Sequence, residues 1–278
     1  MGSFEERVEI AVDAERIAGT FVTPGTLLPG VLFVHGWGGS QQQYLARARA
    51  IAALGCVCLT FNLRGHVETR PQYETVSREI NLRDVVAAYD LLVQRRHVDP
   101  TQIAVIGSSY GGYLGAILTT MRQVRWLGLR APALYIDAGW DTPKLQLHLT
   151  QDLKAYRHQL VAPGGNRALK ACQAFAGDVL LVESEHDDIV PPSVLASYRE
   201  ACTHARSLTC RRIVGADHGL TAGADQRAYT ALLVDWLSEK AFDERSADSA
   251  VRHHPPEVVA VPETAPQTIR SDLLGTGA

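Results

Sequence analysis

Three side chains able to do acyl-transfer chemistry lie far apart in the chain: Ser109, Asp187 and His218. Ser109 is the serine of Gly107-Ser108-Ser109-Tyr110-Gly111, a G-x-S-x-G pattern. A serine hydroxyl is a weak nucleophile until a base takes its proton. His218, in Gly215-Ala216-Asp217-His218-Gly219, carries an imidazole, which titrates near neutral pH and can take that proton and return it to a leaving group. A carboxylate would orient the imidazole and stabilise its charged form. Several carboxylates compete within Ser184-Glu185-His186-Asp187-Asp188-Ile189-Val190-Pro191. Asp187 is the candidate, because Asp-x-x-Val-Pro puts it on the turn before a proline-started helix. Asp188 is the alternative, with helix capping or solvation as its bland role. The order Ser…Asp…His is one of three chain orders that this geometry uses.

Ester or amide cleavage also needs N–H donors for a developing oxyanion, each able to matter by about 10²–10³ in rate. Glycine-rich His35-Gly36-Trp37-Gly38-Gly39 is the expected source, with one donor from the Trp37 backbone and a second from that of Tyr110. The stretch lacks both the G-x-x-x-x-G-K-[ST] lysine and the G-x-G-x-x-G spacing, so a phosphate cradle is disfavoured. His35, Trp140 and Leu220 are candidates for the substrate pocket, with core packing as the competing role of such residues.

The elements must bring these groups to one edge. Ile103–Ile106 reads as a strand, the glycine-rich pattern as a sharp turn, and the apolar run through Met121 as a helix. That context makes G-x-S-x-G meaningful. Side chains at Gly107 or Gly111 would collide with neighbouring elements. Residues 7–12 and 16–22 pair as a hairpin, and Gly30–Val34 and Cys56–Phe61 read as buried strands. Helices are expected over Gln41–Leu54, closed by Gly55, and over Glu79–Arg95. Further strands are expected at Leu134–Ile136, Val179–Glu183 and Leu208–Val214, and helices at Pro192–His204 and Asp225–Lys240. Alternating strands and helices imply an α/β fold with a mostly parallel sheet and helices on both faces. Residues 139–177 form either a small helical cap over the active site or a crossover helix with a long loop. Residues 1–242 form the domain. Residues 243–278, rich in Pro, Ala, Ser and Thr, read as a flexible tail. His253-His254 within it reads as solvated.

The 278 residues are 46% hydrophobic and 21% charged, with a net charge of −3. Scattered basic residues argue against a nucleic-acid footprint. The five cysteines form no C-x-x-C, and Cys56 and Cys58 share one face of a strand. A reduced compartment fits this usage. The polar start MGSFEERVEI lacks a signal-peptide core, and no apolar run is long enough to span a bilayer. The expectation is a cytoplasmic protein without a membrane span, metal or cofactor, acting on a small-molecule ester.

With these four motifs in register over roughly residues 5–240, the chain resembles the α/β-hydrolase superfamily. It is most similar to the serine esterase, dienelactone-hydrolase-like and prolyl-oligopeptidase-like branch. The resemblance implies Ser109 as nucleophile, His218 as base and acid, Asp187 as its partner, and Trp37 and Tyr110 as oxyanion donors. Two departures stand out. Asn62-Leu63-Arg64-Gly65-His66-Val67 replaces the Asp-x-Arg-Gly-His-Gly common in relatives, and Ser184 stands where a glycine often opens the acid-bearing loop. Dienelactone hydrolases carry a cysteine nucleophile where this chain has Ser109. Some members also carry a propeller domain before the hydrolase fold, for which the chain leaves no room. Esterase chemistry is the first expectation, peptidase or amidase chemistry with the same triad the second, and a non-catalytic binding module the third.

Overall fold

The computed structural model describes residues 4–23, 28–242 and 257–259. Strands β1 (Phe4–Val12) and β2 (Glu15–Thr23) form the expected hairpin, turning at Asp13, whose φ of 54° suits a tight turn. Then β3 (Leu28–Val34), α1 (Gln42–Ala52), β4 (Val57–Phe61), α2 (Arg78–Val93), β5 (Val98–Ser108) and α3 (Tyr110–Leu118) alternate. The second half runs β6 (Trp126–Arg130), α4 (Leu153–Arg157), α5 (Arg167–Ala174), β7 (Asp178–His186), α6 (Pro192–Ala201), β8 (Ser207–Asp217) and α7 (Gly223–Phe242).

The strands form one sheet in the order β1-β2-β4-β3-β5-β6-β7-β8, continued by a short strand β9 (Glu257–Val259) beside β8. β1, β2 and β4 pair antiparallel, and every pairing from β4 onward is parallel. The expected tail 243–278 lies outside the described residues apart from β9, and His253-His254 with it.

The pleat divides the core. Val31, Phe33, Cys58, Ala104 and Ile106 face α1 and α7, while Leu32, Val34, Leu59, Ile103 and Val105 lie on the face covered by α2 and α3. Central strands buried on both faces must be apolar at successive positions, which is how β3 and β4 read. All five cysteines are free and buried, with Cys56 and Cys58 in one cluster. Among the described residues no helix is long and apolar enough to cross a membrane.

One strand differs from expectation. The sheet uses Trp126–Arg130, and Leu134–Ile136 is irregular. Ala131, at φ 39°, and Pro132 end β6. The carbonyls of residues 133–136 are then bonded by side chains instead of a neighbouring strand. Ala133 O accepts from the Tyr198 hydroxyl, Leu134 O from Arg157 Nε, Tyr135 O from Asn166 Nδ2 and Ile136 O from Arg78 Nη1. The 139–177 segment puts its longest helix, α5, into the core, with Ala168, Leu169 and Cys172 buried where it packs on α3 and α6.

Candidate active site

The glycine-rich turn between β5 and α3 is as tight as its sequence requires. Ser109 adopts φ 51° and ψ −117°. Such a conformation costs of order 1–3 kcal/mol for a non-glycine residue and persists only where the surroundings enforce it. Neighbouring backbone does the enforcing. A Cβ on Gly107 would meet Gly111 O at 2.4 Å, and one on Gly111 would meet Val34 O at 2.1 Å. Ser109 is further fixed by its own N–H, which donates to Arg130 O, and by its carbonyl, which accepts from Ala133 N–H.

Loops from β7 and β8 deliver the other two groups. His218 Nε2 lies 3.0 Å from Ser109 Oγ. His218 Nδ1 lies 2.7 Å from Asp187 Oδ2 and 2.9 Å from Oδ1. A carboxylate accepts only, so Nδ1 carries the proton and Nε2 is left to accept from the serine hydroxyl. Asp187 Oδ1 also accepts from the N–H groups of Ile189 and Val190. Burial opposes the charge of Asp187. The His218 bond and these two amides outweigh it and hold the carboxyl below its ordinary range. Asp188 is exposed and takes no part in this line.

The β3 loop lies against Ser109: a Cβ on Gly36 would sit 3.4 Å from Ser109 Cβ. Two imidazoles hold that loop. His35 Nδ1 donates to Gly36 O at 2.7 Å, and its Nε2 accepts from Leu63 N–H at 3.0 Å. His66 reciprocates, with Nδ1 donating to Arg64 O and Nε2 accepting from Gly38 N–H at 3.0 Å. The β3 and β4 loops are thus tied across by one ring from each. Burial lowers the pKa of both rings, that of His35 to about 3. Acceptance at Nε2 requires the neutral form that burial favours. The departures from the common pattern also have partners here. Asn62 Oδ1 accepts from Gln41 N–H, and its Nδ2 donates to Glu68.

Trp37 lines the cavity beside Ser109, while its ring stacks on Tyr73 and meets His66 and Tyr110 edge-on. Among the described residues its N–H has no acceptor within the protein. The N–H of Tyr110, first residue of α3, has no intrahelical acceptor, while its ring is buried and its hydroxyl bonds Asn81 Oδ1. The cavity measures about 270 Å³ and is also lined by Gln43, Arg47, Ser108, Arg130, Leu220 and Tyr229. Arg130 links three strand ends. Its Nε donates to Ser108 Oγ, its Nη1 to Ser184 Oγ and its Nη2 to His218 O at 2.8 Å. Ser184 therefore supplies an acceptor that glycine could not.

Residues 41–243 match the model of the prolyl oligopeptidase family. The chain belongs to the prolyl oligopeptidase family. With that family go the α/β-hydrolase fold and a hydrolase activity. No curated protein matches the chain in sequence. Solved structures share its fold. The dienelactone hydrolase of Anabaena variabilis is 18% identical with a TM-score of 0.63, over 86% of this chain and 99% of that one. Est1E of Butyrivibrio proteoclasticus, solved with ferulic acid, is 17% identical with a TM-score of 0.65, over 84% and 98%. The acylaminoacyl peptidase of Pyrococcus horikoshii is 14% identical with a TM-score of 0.67, over 90% of this chain and 44% of that one.

In this prolyl oligopeptidase family member, the residues expected at the site fall into two groups. Ser109, Asp187 and His218 meet within hydrogen-bond distance, and Trp37 and Leu220 line the adjoining cavity. His35 and Trp140 do not line it. His35 is a buried strut bonded at both ring nitrogens. Trp140 packs near Tyr113 and under the Arg78 and Arg167 guanidinium groups. No residue of 139–177 lines the cavity. The sequence reading missed Arg47, His66 and Arg130. Only His66 left a signal, a second His after a core strand and beside a glycine, as at His35-Gly36. Among the described residues no cluster of three or more His, Cys, Asp or Glu is arranged to hold a metal ion.

Proposed function

We propose that the protein is a serine carboxylic-ester hydrolase working through an acyl-enzyme. The observation that carries this reading is the continuous line from Asp187 through His218 to Ser109 Oγ, with both contacts at hydrogen-bond length. Ser109 Oγ attacks the ester carbonyl as its proton passes to His218 Nε2. Asp187 stabilises the resulting imidazolium. The oxyanion is held by the backbone N–H groups of Trp37 and Tyr110. Collapse breaks the acyl C–O bond, and His218 returns the proton to the departing alcohol. Water then attacks the acyl-Ser109 ester, again giving its proton to His218. The carboxylic acid leaves, and Ser109 regains its hydrogen.

The short cavity beside Ser109 suits a small acyl or alcohol group. The expected result is hydrolysis of short 4-nitrophenyl esters, reduced on the order of 10⁶-fold in kcat by Ser109→Ala. Undiminished turnover by that variant would remove the reading.

Peptidase or amidase activity is the second reading. It is favoured by the family match and by the shared fold of the Pyrococcus protein, an acylaminoacyl peptidase. The same residues serve either bond, but an amine leaving group depends more on proton return from His218. Turnover of an aminoacyl-4-nitroanilide above that of the matched 4-nitrophenyl ester would favour this reading over the first.

A further inference from the structure

Two guanidinium groups line the small cavity beside Ser109, and no carboxylate lines it. Arg47 and Arg130 are each only 6% exposed. Among the described residues neither has an ion-pair partner. Arg130 spends its bonds on three neutral acceptors: Ser108 Oγ, Ser184 Oγ and His218 O. Arg47 is less satisfied. Its Nη1 donates to Gln43 O, and its buried Nε has no acceptor in the protein. The Tyr44 and Tyr229 rings lie 5.7 Å and 5.0 Å from the Arg47 guanidinium carbon. Ring faces attract the charge but accept none of its N–H bonds in the plane of the fork. Tyr229 cannot serve as counter-ion, because burial pushes its hydroxyl up to about 12. A buried cation with no anion is costly, and two around one small cavity repel each other. An anion entering beside Ser109 would relieve both.

We propose that this cavity is an anion subsite and that the substrate is a short ester bearing a carboxylate. Arg47 pairs with that carboxylate, and Arg130 adds the second positive charge while holding His218. The inference rests on the esterase reading and narrows it. The reaction remains hydrolysis: water adds across the acyl C–O bond, and the substrate's carboxylate is unchanged.

The test compares mono-(4-nitrophenyl) glutarate with 4-nitrophenyl pentanoate, corrected for uncatalysed hydrolysis. The expected kcat/KM ratio in the wild type favours the glutarate ester at least tenfold. In Arg47→Gln that ratio falls at least tenfold, and Arg47→Lys recovers part of it. A wild-type ratio at or below one overturns the subsite. Pentanoate turnover that Ser109→Ala abolishes would still uphold the esterase reading, so the two failures are separable. A second arm needs no turnover: glutarate raises the thermal unfolding midpoint of the wild type where 1,5-pentanediol does not. No glutarate-specific rise overturns the subsite. Both wild-type measurements stand even if Arg47→Gln does not fold.

Discussion

His35 and His66 hold the β3 and β4 loops together only while both are neutral, because each accepts a backbone N–H at Nε2. An ordinary histidine titrates near 6.5, whereas folding lowers His35 to about 3. Between those values the unfolded chain binds the proton that the folded chain refuses. The stability His35 confers is therefore complete above pH 6.5, drains away as pH falls, and is gone below about 3. The expected slope from this group is up to about 1.4 kcal/mol per pH unit. In the folded protein the His35 ring resonances should not titrate from pH 8 to 5 in NMR spectra. Titration near 6.5 would contradict the staple. At this scale Ser109, Asp187 and His218 were legible, because each sits in a local pattern with its own chemistry. Arg47 and Arg130 were not. An arginine in a sequence reads as surface, and its burial is set by distant elements: α1 with α7 for Arg47, and the ends of β5, β7 and β8 for Arg130.

The strand–turn–helix of β5 and α3 depends on backbone packed against backbone, which no side-chain movement can relieve. A methyl on Gly111 would fall 2.1 Å from Val34 O, in the strand whose loop lies against Ser109. Gly111→Ala should destabilise the fold by about 3 kcal/mol or more, above the usual cost of one extra core methylene. Denaturant unfolding measures it, and a loss below about 0.5 kcal/mol would contradict the packing. This element was readable because its glycines obey a local rule. β6 was not. Trp126–Arg130 carries Gly128 at its centre, and a Cβ there would meet Ile106 Cδ1 at 2.6 Å. Glycine weakens a strand signal, yet tertiary packing demands it here. Leu134–Ile136 has the apolar composition of a strand. Arg157, Asn166 and Arg78 capture its carbonyls, and each of them lies more than twenty residues away in sequence.

Across the whole molecule the site lies where chain direction switches. From β3 the chain crosses by α1 to β4 on one side, then returns by α2 to β5 on the other. Loops leaving β3 and β5 diverge at their carboxyl ends and open a crevice, the usual ligand position in such sheets. The β7 and β8 loops bring Asp187 and His218 to that same edge. Alternation of strands and helices was enough to foresee the parallel sheet, since handedness and short connections leave few other topologies. The cavity's electrostatics could not be foreseen, because a net charge of −3 says nothing about two cations gathered at one point. The most direct measurement is covalent labelling by a fluorophosphonate probe, with the modified residue located by peptide mass spectrometry. Labelling should fall on Ser109 alone, vanish in Ser109→Ala and slow by at least a hundredfold in His218→Ala. Labelling that spares Ser109, or that proceeds equally fast without His218, would contradict the account.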